Sequence, residues 1–71
     1  MIISIVNRDT GAYTDYPPDA LRRIALGAVR KLGRMESFHV VFNESTGRAV
    51  LVVQYKERAP SQWSACVSIA L

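Results

Sequence analysis

The chain has 71 residues, nine lysines and arginines against six acids, and a formal net charge of +3. At this length one domain, residues 1–71, is expected, with only about 60% of the unfolded surface buried and stability marginal unless a staple or partner helps. The lone cysteine, Cys66, excludes an internal disulfide, and the lone histidine, His39, excludes zinc-type spacing of Cys and His.

The first residues, "MIISIVN", are rich in β-branched side chains and too short for a stable helix, so they predict a strand. The start also lacks the basic head and long apolar core of a signal peptide, and no apolar run approaches the roughly 20 residues of a membrane span. A cytoplasmic, reducing compartment and no membrane partner are therefore expected.

Two segments then end apolar runs alike: "NRDTG" at Asn7 to Gly11 and "NESTG" at Asn43 to Gly47. Polar residues whose side chains bond nearby amides, closed by a glycine that takes the left-handed conformation, are the chemistry of a hairpin loop. Neither glycine precedes a helix N-terminus, as a phosphate-cradling loop requires. Sequence beyond these positions does not match, so both segments are read as turns and not as halves of a repeat. The arm returning from the first, "AYTDY", supports at most a brief strand.

Pro17 and Pro18 stop a strand and suit the first turn of a helix, with Asp19 at the positive end of its dipole. The helix is predicted from Pro18 to Leu32, with Leu21, Ile24, Ala25, Ala28, Val29 and Leu32 as its apolar stripe and Gly33 as its C-cap. Arg23, Arg30 and Arg34 fall in line on the opposite side, with Lys31 beside them.

A hairpin from Phe38 to Lys56 follows. A four-residue loop, Glu44 to Gly47, sets Asn43 opposite Arg48 and brings Phe42, Val40 and Phe38 opposite Ala49, Leu51 and Val53, which gives one continuously apolar face; a three-residue loop would break it. After the polar connection "KERAPSQ", the segment "WSACVSIAL" alternates cleanly. Trp63, Ala65, Val67, Ile69 and Leu71 point one way, and Ser64, Cys66, Ser68 and Ala70 the other. The order β-(β)-α-β-β-β predicts an α+β fold: a small, mostly antiparallel sheet of three to five strands with one α-helix packed on one face.

No catalytic constellation stands out. His39 lies mid-strand, Cys66 has no basic neighbour in sequence to stabilise a thiolate, and the six carboxylates have no motif spacing. No enzyme activity, cofactor or metal is expected. Two surfaces remain. Arg23, Arg30, Lys31 and Arg34 could contact phosphates or an acidic partner, although the strand "RAVLVVQY" offers nucleic acid only Tyr55 for stacking. The sheet face carrying Val41, Val50, Val52, Cys66 and Ala70 has no second helix to cover it, and a rimmed apolar patch marks an interaction site unless the Asp9 to Pro17 segment folds over it. From Pro60 onward there is no charge, so the last strand is expected to be central or paired with another chain. A small protein-interaction module is predicted, a homodimer or an inhibitor or adaptor docking on another protein. Nucleic-acid binding through the basic set is the alternative.

Overall fold

The predicted order of elements is the observed one. The computed structural model describes residues 3–6, 10, 11 and 13–71. It contains β1 (Ile3–Val6), β2 (Tyr13–Tyr16), α1 (Pro18–Val29), β3 (Gly33–Asn43), β4 (Arg48–Glu57) and β5 (Ser64–Ala70). The strands form two antiparallel sheets, a β1–β2 hairpin and a three-stranded sheet in the order β3–β4–β5. The brief second strand pairs fully with the first, from Ile3 opposite Tyr16 to Val6 opposite Tyr13. Of the first polar turn, Asn7, Arg8 and Asp9 lie outside the described residues; its Gly11 is left-handed at φ 72°.

The second turn follows the predicted register, with Asn43 opposite Arg48 and Phe38 opposite Val53. Its chemistry is local. Asn43 Oδ1 accepts from the Ser45 and Thr46 amides at 3.0 and 3.4 Å, the Gly47 amide donates to the Asn43 carbonyl at 2.8 Å, and Gly47 sits at φ 67°.

The helix begins as expected, with Pro18 in its first turn and the Pro17 carbonyl accepting from the Ala20 and Leu21 amides. It ends at Val29, before the predicted Leu32, because the chain from Gly33 joins the sheet instead. Gly33 pairs with Glu57 and Met35 with Tyr55, and a register shift between Met35 and Ser37 accommodates the extra residue, Glu36. Gly33 is therefore not a helix cap: a Cβ there would collide with the Lys56 carbonyl, so its role is close backbone approach. Leu32 falls off the apolar stripe and is exposed.

α1 covers one face of the three-stranded sheet. Leu21, Ala25 and Val29 meet Leu51, Val53 and Tyr55 in the buried core, ringed by Phe38, Val40, Met35, Val67 and Ile69. Tyr16 of the first hairpin packs against this cluster. Two aromatic residues depart from the expected core face. Trp63 precedes β5 and is 72% exposed, and Phe42 is about half exposed at the far end of β3.

Candidate interaction surface

Antiparallel pairing aligns side chains into rows across the sheet, and residues paired across strands share a face. On the face away from α1 the rows are Val41–Val50–Ala70, then His39–Val52–Ser68, then Ser37–Gln54–Cys66. The sequence-predicted patch of Val41, Val50, Val52, Cys66 and Ala70 is thus one surface. Val41, Cys66 and Ala70 are exposed, while Val50 and Val52 on the central strand are half-buried. No described part of the Asp9 to Pro17 segment closes over it: β2 is paired with β1, and Tyr16 turns to the helix-side core.

Polar groups rim this face. Ser37 Oγ donates to Gln54 Oε1 at 2.8 Å, and Ser64 Oγ donates to Glu36 Oε1 at 3.3 Å, so the bulged Glu36 reaches across to β5. Arg34 stands opposite Lys56 at one end, and Arg48 lies at the other beside Asn43. The predicted arginine line is consequently divided. Arg23 belongs to α1 and Arg30 caps its end, Lys31 lies in the following turn, and Arg34 sits in β3 on the opposite side of the sheet. All four are exposed. Tyr55, the one aromatic that sheet stacking had available, is 9% exposed within the core.

Two open depressions flank the rim. One of about 420 Å³, between Gly33, Arg34, Lys56, Arg58 and Gln62, contains no histidine, cysteine or serine. The other, about 300 Å³, is lined by Glu36, Gln54, Ser64, Ala65 and Cys66, with no imidazole or cationic side chain. His39 and Ser68 flank Val52 on opposite outer strands, about 10 Å apart by strand spacing and beyond hydrogen-bond reach. No cluster of metal-binding side chains exists among the described residues, and none of their helices is long and apolar enough to cross a membrane.

The backbone supplies what the sequence pattern left open, the position of the last strand. Among the described residues, β5 has β4 on one side and no strand on the other. Comparison with family models, curated proteins and solved structures gives no match, so fold and site stand on geometry alone.

Proposed function

We propose that this chain is a non-enzymatic protein-interaction module that works through the open face of its three-stranded sheet and the adjoining β5 edge. The observation carrying this reading is the Val41–Val50–Ala70 row, continuous with Val52, apolar and uncovered among the described residues. Burying such a row against a partner gains about 25 cal/mol for each Å² removed from water. Self-association, or docking as an inhibitor or adaptor, both use that gain. The exposed thiol of Cys66 fits a reducing, cytoplasmic setting.

The test compares the wild-type chain with Val52→Glu by sedimentation at micromolar concentration and by capture of protein from nuclease-treated host extract. A charge in a desolvated contact should abolish association through the open face, read as loss of the captured protein, while the fold survives. A wild-type chain that stays monomeric and retains no protein in a Val52-sensitive manner rejects the module reading.

Nucleic-acid binding through Arg23, Arg30, Lys31 and Arg34 is the second reading. It is favoured by the Arg34–Lys56 juxtaposition on the open face, but it lacks an aromatic platform because Tyr55 is in the core.

A further inference from the structure

The two edges of the main sheet differ. β3 carries Arg34 and Glu36 and is interrupted by a bulge, devices that discourage another strand from adding to it. β5 carries none of them: Ser64–Ala70 is SACVSIA, without charge, proline or register shift.

The ladder fixes which backbone groups of β5 are available. The Leu71 amide donates to the Ala49 carbonyl at 3.1 Å, and the Glu57 amide donates to the Trp63 carbonyl at 2.8 Å. Hydrogen-bonded pairs alternate in an antiparallel ladder, so Trp63, Ala65, Val67, Ile69 and Leu71 turn their backbone groups toward β4. Ser64, Cys66, Ser68 and Ala70 turn theirs outward, with no strand among the described residues to receive them.

Resting on the interaction-module reading, we infer that the partner at this edge is a second copy of the chain, its β5 antiparallel to the first and centred on Val67. In this register Ser64 faces Ala70 and Cys66 faces Ser68 of the other copy, so every outward amide and carbonyl is paired. A shift of one residue opposes outward groups with inward ones, and a shift of two leaves an end residue unpaired. Side chains agree with the same register. On the helix side Val67 meets its own symmetry mate, Ala65 meets Ile69, and the exposed Trp63 meets Leu71, an aromatic–aliphatic pair of the kind that stabilises sheets. The open face contributes only small uncharged residues, and no like charges oppose. The result is a six-stranded sheet whose two valine patches lie on one side.

Cysteine placement tests the register directly. Val67 and its symmetry mate form a non-hydrogen-bonded pair with Cα atoms about 4.5 Å apart, within disulfide range. In a Cys66→Ser background, Val67→Cys should give a disulfide dimer on mild oxidation. Ala65→Cys and Ile69→Cys should cross-link when mixed and not alone. Native Cys66 lies diagonal to its mate at about 7–8 Å and should not cross-link. Emission from Trp63, the sole tryptophan, should shift to the blue as concentration rises. Ser68→Pro removes an outward amide that β4 does not use, so it should give a folded monomer by circular dichroism and sedimentation. Should proline unfold the chain, Ser68→Lys provides the same test with a charge. A wild-type monomer with invariant Trp63 emission overturns the second-copy assignment, and the module reading then rests on whether capture from extract is lost in Val52→Glu. A dimer that survives both Ser68 variants, or that cross-links through Val52→Cys and not Val67→Cys, overturns edge pairing while the module reading stands on the open face.

Discussion

The guanidinium of Arg58, just past the end of β4, donates to the backbone carbonyl of Arg30 at the end of α1 at 2.8 Å. The Arg58 amide also donates to the Leu32 carbonyl, at 3.3 Å. The last turn of α1 contains no basic residue, so this distant arginine supplies both a partner and a positive charge for the helix C-terminus. Arg58→Ala should destabilise the fold by about 0.5–1 kcal/mol, the contact being exposed. Arg58→Lys should recover part of the loss. Chemical denaturation of the three proteins checks the order.

Gly33 predicts a larger effect. Its Cβ would meet the Lys56 backbone carbonyl, which cannot swing aside as a side chain end can. Gly33→Ala should therefore cost about 1–3 kcal/mol, as overpacking does. A variant as stable as the wild type would place the start of β3 elsewhere.

Gly47 is left-handed at φ 67°, and Gly47→Val should destabilise by about 1–2 kcal/mol. In a chain of this size each kcal/mol corresponds to roughly 4–8 °C in Tm. Gly47→Asn should be milder, because Asn tolerates that conformation. The same pair at Gly11, at φ 72°, should behave alike if both turns have one construction, which thermal melts decide.

Asn43 organises the second turn through one carbonyl oxygen on its side chain. Asn43→Ala leaves the Ser45 and Thr46 amides to water, and about 1 kcal/mol of stability should go with it. Asn43→Asp keeps the acceptor and should retain most of that stability. Comparing the two by thermal denaturation separates the acceptor from the rest of the side chain.

The basic residues give a prediction about binding. If Arg23, Arg30 and Arg34 contact phosphates, affinity for nucleic acid should fall steeply with salt, and replacing all three should flatten the slope. Their division between the two sides of the sheet favours the other outcome, a triple variant that folds and associates as the wild type does. Titration of single- and double-stranded oligonucleotides at several ionic strengths distinguishes them.

The sequence alone determined whatever depends on neighbours along the chain. The hairpin register from Phe38 opposite Val53 to Asn43 opposite Arg48 was legible because alternation allows only one pairing that keeps Phe38, Val40, Leu51 and Val53 on one face. The left-handed glycines and the helix start at Pro18 were legible because backbone sterics set them locally. The grouping of Val41, Val50 and Val52 followed from the same alternation. Where α1 stops was not legible: the apolar spacing continues to Leu32, but pairing of Gly33 and Arg34 with Glu57 and Lys56 outcompetes another helical turn. That pairing moved Arg34 off the helix line and brought Met35 to the core. The alternation also assigned Trp63 to the core face, and only the packed structure shows α1 leaving it exposed. Strand order belongs to the same class. The sequence allowed β5 to be central or at an edge, and the fold leaves it at the edge beside β4, because a two-stranded N-terminal hairpin that pairs with itself contributes no strand to cover it.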